Sequence, residues 1–300
     1  MNPQFPVYIP SKGRADSRLT MRALERMRVP YKVVVEEQEA DAYRAVIDPG
    51  SVLVLDPAYQ REYETCDDLG ETKSKGPGPA RNFIWDHAIS VGAAWHWVMD
   101  DNIVRFHRFN HNLKVPVLDG TLFRCMEDFV LRYRNVAMAG PQYFMFVVRK
   151  ARLPAFVTNT RIYSCNLIRN DVPFRWRGRY NEDTDLSLRM LKAKWCTVQF
   201  NAFLQEKLTT QTLAGGNTDA FYAREGTAAK SRMIRDLHPD VARTVMRFGR
   251  PHHFVDYSRF KANRLVRRPD VEVEHGVDDY GMALRYLDGS PAALGGDGKS

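Results

Sequence analysis

The chain has 300 residues, 44% of them hydrophobic, which is ordinary for a globular protein with one large α/β domain or two modest ones. Its 44 Lys and Arg residues exceed its 36 Asp and Glu residues, and the formal net charge of +8 favours an anionic partner or substrate. No segment approaches the ~18 apolar residues of a membrane span, and the N-terminus lacks a signal-peptide pattern. Four widely spaced cysteines indicate neither a zinc cluster nor a disulfide framework, so we expect reduced thiols and a soluble, cytoplasmic protein.

The first hundred residues alternate short apolar strands with amphipathic helices. Strands are predicted at residues 7–9, 31–35 and 52–55 and in a segment ending at Asp100, and helices at residues 19–27, 39–46 and 80–94. This β-α-β rhythm predicts an α/β protein with a mainly parallel, Rossmann-like sheet, which binds ligands at the carboxyl ends of its strands. The Gly- and Pro-rich loop over residues 59–79 is too long for a simple connector and is therefore a candidate functional loop.

The remaining chain continues this domain and then changes character. Further strands are predicted at residues 136–139, 144–148, 163–168 and 197–200, with a helix beginning near residue 182. Between Arg224 and Arg268 there are twelve basic residues and only four acidic ones. We therefore expect residues 213–276 to form a basic, mostly helical extension that packs on the α/β domain. Residues 277–300 are small and polar and are expected to be disordered.

Two carboxylates and an amide follow the strand that ends near residue 99. Asp100, Asp101 and Asn102 place hard oxygen ligands at the sheet edge, and Mg²⁺ or Mn²⁺ would relieve the repulsion between the two carboxylates. A polar turn after a buried strand is the simpler interpretation, since Asp and Asn are common in turns. His252 and His253 are further candidate ligands, although paired histidines are more often surface or core residues.

Cationic residues surround the same predicted edge. Pro10, Ser11 and Arg14 belong to a turn directly after the first strand, where a nucleotide diphosphate would lie, although the segment is not a P-loop. A basic surface turn is the alternative interpretation. Arg81 begins a helix, and its guanidinium together with the free N–H groups of that helix offers a second phosphate site. The preceding loop adds two candidate helpers, Lys73 and Lys75.

A second acidic cluster opens the predicted helix at residue 182. Glu182, Asp183 and Asp185 fall in its first turn, where carboxylates also stabilise a helix by capping free N–H groups and complementing its dipole. That structural role would explain one or two of the three. We expect Asp183 to face the ligand as a general base and Glu182 to orient hydroxyl groups.

The basic C-terminal region also carries aromatic side chains, and this combination is typical of surfaces that hold nucleic-acid phosphates and stack bases. A solvated basic helix face whose aromatic side chains belong to the core explains the same composition. The Gly-containing segment of residues 213–218 indicates a hinge or turn, and a lid over the ligand is the sharper alternative.

Assembled in this way, the motifs resemble those of the TET-associated glycosyltransferases, phage-encoded enzymes of the GT-A fold that attach sugars to hydroxymethylated pyrimidines in DNA. The resemblance spans roughly residues 7–268, nearly the whole chain. Its motifs lie at residues 7–14, 78–82, 99–102, 180–185 and 238–261.

The resemblance implies a catalytic domain over residues 1–212, with a donor-binding half at 1–105 and an acceptor half at 106–212. Asp100, Asp101 and Asn102 would form a D-x-D-type motif that binds Mn²⁺ or Mg²⁺ and the diphosphate of a UDP-sugar, with Asp101 the preferred ligand because the last position is Asn. Asp183 would take the proton of a hydroxymethyl group, with 5-hydroxymethylcytosine as the expected acceptor, in a direct displacement on a flipped-out base. The match of Glu182 and Asp183 to the family's E-D pair favours inversion.

The resemblance also assigns binding roles, in the host-cell cytoplasm if a phage encodes the protein. The implied donor-binding residues are Pro10, Ser11, Arg14, Lys75, Arg81 and Asp100. The implied DNA-binding residues are Arg247, Arg250, Lys261 and Arg264.

Three other functions fit parts of the pattern. A GT-A glycosyltransferase could act on a glycan or a protein. A nucleotidyltransferase would also use a carboxylate pair and a metal, but it usually carries a Gly-rich signature after the first strand, which is absent here. A catalytically inactive DNA-binding module would need only the basic segment, and the two retained acidic clusters argue against it.

Overall fold

Ten strands form the central sheet in the computed structural model, which describes residues 1–67, 74–110, 112–148, 153–208, 228–247 and 249–271. The strands of this sheet are β1 (Val7–Pro10), β2 (Lys32–Val35), β3 (Val52–Val54), β4 (Trp95–Met99), β5 (Ile103–Asn110), β6 (Leu113–Pro116), β7 (Val136–Tyr143), β8 (Phe156–Thr158), β9 (Cys165–Arg169) and β10 (Cys196–Lys207). The helices are α1 (Leu19–Arg26), α2 (Ala40–Arg44), α3 (Pro57–Glu62), α4 (Gly78–Ser90), α5 (Thr121–Leu131), α6 (Glu182–Lys192) and α7 (Ala228–Leu237). Short 3₁₀ turns cover Glu37–Glu39, Pro49–Ser51, Phe144–Phe146 and Tyr257–Phe260.

The sheet is parallel where the sequence predicts it and mixed elsewhere. Its strands lie in the order β3-β2-β1-β4-β9-β7-β10-β5-β6, and β8 pairs with β10. The pairs β3-β2, β2-β1, β1-β4 and β7-β10 are parallel, so the α/β class and the parallel first part are confirmed. The other pairings are antiparallel, because β5, β6, β8 and β9 run against their neighbours.

Helices cover both faces of the sheet and divide the core into two layers. Trp97 and Val98 are neighbours on β4, yet they belong to different clusters, because successive side chains of a strand point to opposite faces. Trp97 packs with residues of α1 and α5, including Phe123. Val98 packs with residues of α4 and α6, including Trp85 and Met190. This arrangement places the first turns of α4 and α6 on the same side of the sheet.

The strand predicted at residues 144–148 is wrong. The chain leaves β7 at Tyr143 and forms a 3₁₀ turn at Phe144–Phe146. The segment is apolar throughout and lacks the alternation that buries one face of a strand. Met145 and Phe146 are accordingly 73% and 57% exposed.

The prediction of a mostly helical C-terminal extension is also wrong. After α7, the strands β11 (Ala242–Arg247) and β12 (Arg250–Val255) form an antiparallel hairpin. Thr244 and Val245 are β-branched, Pro251 cannot continue a helix, and Gly249 at the turn adopts a φ of 69°. The basic charge of the described part of the segment is therefore divided among a helix, a hairpin and the residues that follow the hairpin.

Several sequence expectations fall outside the described residues: Lys73, the segment 213–218 and the tail 277–300. Cys66, Cys125, Cys165 and Cys196 are free thiols, and all but Cys66 are buried. None of the helices in the described ranges is long and apolar enough to cross a membrane.

Candidate active site

A cavity of about 580 Å³ opens at the carboxyl ends of β1, β2 and β4 and is closed on its other side by the first turns of α4 and α6. The residues of the three predicted motifs that would bind the donor or a metal, or act as the base, all line it: Pro10, Ser11, Arg14, Lys75, Arg81, Asp100, Asp101, Asn102, Glu182 and Asp183. Seven cationic and five anionic side chains line the cavity, so its formal charge is positive. The predicted DNA-binding residues do not line it.

Arg81 links the two acidic clusters at the bottom of this cavity. It lies in the first turn of α4 and is only 2% exposed. Its Nη2 donates to Asp100 Oδ1 at 2.7 Å, and its Nη1 donates to Glu182 Oε1 and Asp183 Oδ1, both at 2.9 Å. The guanidinium stacks on the ring of Trp176, 4.6 Å from its centroid. A single buried cation thus holds three carboxylates that would otherwise repel each other.

Asn181, the residue before helix α6, has a left-handed backbone conformation, and the acidic first turn of the helix follows it at the cavity wall. Asn181 adopts a left-handed φ of 53°, and its Nδ2 donates to the carbonyl of Lys230 on α7 at 2.7 Å. Asp185 points away from the cavity, where it accepts hydrogen bonds from His238 Nε2 at 2.9 Å and Arg189 Nε at 2.7 Å. Two carboxylates of the cluster therefore face the cavity, and the third holds helices together.

Asp183 has the environment of a general base. Burial raises its pKa to about 7, the nearby charges of Glu182 and Asp100 add to this, and Arg81 opposes it. Its Oδ1 binds Arg81, while Oδ2 makes no hydrogen bond within the part of the chain that the structure describes. Such a carboxyl changes its charge near neutral pH and has one oxygen available for a proton.

Asp101 anchors the turn that follows β1. Arg14 Nη1 donates to its Oδ1, and Ser11 Oγ donates to its Oδ2 at 2.8 Å. The Ser11 hydroxyl also lies 2.7 Å from the hydroxyl of Tyr43. Asp101 is 7% exposed, and burial raises its pKa while Arg14 opposes that rise. Both oxygens are thus used in holding the 10–14 turn against the sheet edge.

Asp100 is held by two cations. Its Oδ2 accepts a hydrogen bond from Lys207 Nζ at 2.6 Å, and its Oδ1 accepts the one from Arg81. Lys207 also donates to Ser164 Oγ at 3.0 Å. Burial favours the protonated acid, but Lys207 and Arg81 outweigh it and hold the pKa of Asp100 well below its usual range. Burial lowers the pKa of Lys207, but Asp100 outweighs this and raises it, so the ammonium stays charged.

The predicted Mn²⁺ or Mg²⁺ stays a prediction, and the carboxylates as they lie do not fit it. Asp100 and Asp101 use their oxygens for protein partners, and Asn102 contributes a buried Oδ1 without a hydrogen-bond partner. Within the described ranges, no group of three or more His, Cys, Asp or Glu side chains is arranged to hold a metal ion. His252 and His253 lie on β12 and do not line the cavity.

A family model described as TET-associated glycosyltransferase matches residues 5–216, more than half of the chain and nearly all of the cavity wall. The chain belongs to the TET-associated glycosyltransferase family. No curated protein matches it. Membership means that the protein is a glycosyltransferase, which uses a sugar donor and an acceptor, and the suspected resemblance is confirmed.

In this glycosyltransferase the C-terminal basic residues separate into two groups. Arg247 and Arg250 are paired at the tip of the β11-β12 hairpin, and the adjacent Pro251 carbonyl accepts a hydrogen bond from Ser231 Oγ at 2.7 Å. Ser231 follows the cavity residue Lys230, so the hairpin tip lies near the cavity.

Lys261 and Arg264 lie elsewhere. The Arg264 carbonyl accepts a hydrogen bond from Asn135 Nδ2 at 2.8 Å, at the amino end of β7. The opposite end of β7, at Tyr143, lines the cavity. An eight-residue strand spans about 25 Å, so Arg264 and the neighbouring Lys261 are near the far edge of the sheet.

Some of the glycosyltransferase's site residues were missed by the sequence analysis. Lys207 donates to the Asp100 carboxylate, the Ser164 carbonyl accepts from the Asp100 N–H at 2.7 Å, and Tyr143, Arg179 and Lys230 line the cavity. Lys207 ends a twelve-residue strand, and a cation at the end of a strand was the sequence feature that could have indicated its place in the site. Its contact with Asp100 depends on the pairing of β10 with β5, which the sequence did not predict.

Proposed function

We propose that this glycosyltransferase transfers a sugar from a UDP-sugar to the hydroxymethyl group of a modified pyrimidine in DNA, with 5-hydroxymethylcytosine as the first acceptor to test. The observation that supports it most strongly is the position of Asp183. A carboxyl with a pKa near neutrality faces a cavity that seven cationic side chains also line. A base beside an anion site is what displacement of a diphosphate by a hydroxyl group requires.

The donor fits the side of the cavity formed by the first strands. Val35 and Leu55 offer apolar contacts for a nucleoside at the ends of β2 and β3, and Glu36 and Gln60 offer polar ones. Ligands of open α/β sheets bind at this edge. The diphosphate then lies towards Asp100, where the cations gather.

The reaction balances with groups already described. The acceptor oxygen attacks the anomeric carbon and forms the new C–O bond, while the bond from that carbon to the β-phosphate oxygen breaks. The hydroxyl proton passes to Asp183, and the electron pair of the broken bond leaves on UDP. Glu182, held beside Asp183 by Arg81, is placed to orient the sugar or acceptor hydroxyls. Asp183 lies on α6, and the proposed donor site lies at the ends of the first strands on another side of the cavity, which supports an inverting displacement.

Mass spectrometry of nucleosides tests this function. DNA containing 5-hydroxymethylcytosine is incubated with the protein and a panel of UDP-sugars, in parallel with EDTA and with Mn²⁺, and is then digested. We expect the modified nucleoside to gain the mass of one sugar, with 5-methylcytosine DNA as the matched control because it lacks only the hydroxyl. A gain on 5-hydroxymethyluracil instead would change the acceptor base. Failure on every DNA, with turnover on a glycan or protein, would discard the DNA acceptor.

The hairpin tip should contribute more to DNA binding than the far edge. We expect Arg247→Ala with Arg250→Ala to weaken DNA binding and to lower the slope of log Kd against log salt by about 2, or about 1 per phosphate contact. Lys261→Ala with Arg264→Ala removes the same charge far from the cavity and is the control. Fluorescence anisotropy across a salt series measures both. Equal losses in the two double variants would show that the DNA path does not follow the hairpin.

A further inference from the structure

Lys207 contacts Asp100, the first carboxylate of the motif predicted to hold a metal ion. Its ammonium is 2.6 Å from Asp100 Oδ2 and 3.0 Å from Ser164 Oγ, and the side chain is 13% exposed on the cavity wall. Arg81 takes the other oxygen of Asp100. The carboxylate at the centre of the predicted metal motif is therefore already neutralised by two fixed charges.

A divalent ion would have to compete with these charges. To reach Asp100 it must displace Lys207 or Arg81, or lie within a few ångströms of both, where like charges repel strongly in a partly buried site. Asp101 would coordinate such an ion poorly, because both of its oxygens already accept hydrogen bonds from Arg14 and Ser11. Asn102 is neutral. Asp100 and Asp101 therefore already contact three cations, Arg14, Arg81 and Lys207.

We propose that Lys207 takes the place of the divalent cation, binding the diphosphate of the donor and stabilising the negative charge on departing UDP. This rests on the proposed use of a nucleoside diphosphate sugar. When the bond from the anomeric carbon to the β-phosphate oxygen breaks, its electron pair stays on that oxygen, and the ammonium of Lys207 lies against it without giving up a proton. Asp100 and Ser164 position the ammonium.

The location of Lys207 suits this role. It ends β10, which pairs with β7 on one side and β5 on the other, so its backbone is fixed by the sheet. A fixed charge aimed at a developing negative charge stabilises it without reorganisation. Unlike a metal, it cannot be removed by a chelator.

Calorimetric measurement of UDP binding in EDTA and in Mn²⁺ tests the proposal without relying on turnover. We expect the wild-type protein to bind UDP in EDTA with an affinity similar to that in Mn²⁺. Lys207→Met, which keeps the length of the side chain but removes its charge, should weaken binding by about 10- to 100-fold, and Lys207→Arg should recover part of it. Lys192→Met is the matched control, because Lys192 makes a 2.7 Å ion pair with the exposed Asp240 at the other end of α6. Thermal melts of each variant confirm folding.

The outcomes separate the proposal from the function on which it rests. Binding of UDP only with Mn²⁺ would overturn the role of Lys207, restore the metal predicted from the sequence and leave the glycosyl transfer intact. Unchanged binding by folded Lys207→Met in EDTA would also overturn it. Binding of UDP in neither buffer would overturn both the role of Lys207 and the UDP donor. Binding in EDTA that Lys207→Met weakens would support the proposal even if the DNA acceptor fails in the mass-spectrometric test.

Discussion

Replacement of Asp183 by Asn is expected to lower sugar transfer by about 10²- to 10⁴-fold and to leave UDP binding within about twofold, because a positioned general base contributes rate enhancement of that size. Asn keeps the shape of the side chain and can still contact Arg81 through its carbonyl oxygen, but it cannot take the acceptor's proton. Transfer is followed by mass spectrometry of the modified nucleoside, and UDP binding by calorimetry.

Asp86→Asn is the matched control for this variant. Asp86 also accepts a hydrogen bond from an arginine, Arg175, but it is 44% exposed and does not line the cavity. We expect its activity to remain close to that of the wild type. Loss of transfer in both variants would point to a general effect on folding, and full activity in Asp183→Asn would show that another group is the base.

The pH dependence of the wild-type transfer rate is a second test of the role of Asp183. The raised pKa, about 7, means that Asp183 is protonated and inactive as a base below neutrality and ionised above it. The transfer rate should therefore rise as the pH increases through about 7 and then level off. A rate that stays flat from acid to alkaline pH would contradict the assignment of Asp183 as the base.

Replacement of Arg81 by Met is expected to lower the free energy of unfolding by about 3–5 kcal/mol, because it removes the positive charge shared by several buried carboxylates. Glu182 and Asp183 would then repel each other without compensation, while Lys207 still neutralises Asp100. In a domain of this size the loss corresponds to a melting temperature lower by on the order of 10 °C. Thermal and denaturant unfolding measure it.

Arg175→Met separates this effect from the loss of an ordinary arginine. Arg175 stacks on the ring of Trp85 at 4.9 Å, much as Arg81 stacks on Trp176, but it binds a single exposed carboxylate. We expect the control to lose no more than about 1 kcal/mol. The deficit of Arg81→Met should also shrink as the pH falls, because protonation removes the repulsion among the carboxylates. Equal deficits in the two variants would mean that the shared charge is not what stabilises the site.

The helices and strands of the first hundred residues were predicted well, because their hydrophobic patterns involve only neighbouring residues. The strands before residue 100 alternate with helices, and parallel pairing follows from that order, so the sheet edge carrying Ser11, Asp100 and Asp101 was predicted correctly. The acidic start of α6 was also visible, because three carboxylates precede an amphipathic run. These features depend on neighbours within a few residues or on a single topological rule.

The partners of these residues could not be predicted in the same way. Arg81 was expected to meet phosphate, yet it lies beneath three carboxylates, one of them 102 residues away. Asp101 was the preferred metal ligand, and the structure turns it towards Arg14 and Ser11. The segment after α7 was expected to be mostly helical, but it forms a hairpin. The expectation rested on charge and aromatic content, which say little about backbone pairing. The partners of Arg81 and Asp101 are set by tertiary contacts that composition does not encode, whereas the hairpin forms between neighbouring segments around Gly249.

The order of the strands also decides when the site becomes complete during synthesis. Strand β5 follows β4 directly in the chain, but in the sheet it lies beyond β10, so its pairing with β10 must wait for residues near 207. Asp100 and Lys207 are separated by 107 residues, which takes on the order of 5–20 s at typical translation rates. For that time a nascent chain carries the acidic sheet edge without the ammonium that neutralises it. The site in residues 1–105 therefore cannot be completed before residues 106–212 have been synthesised. A ribosome-bound fragment that ends before β10 should be unable to retain nucleotide.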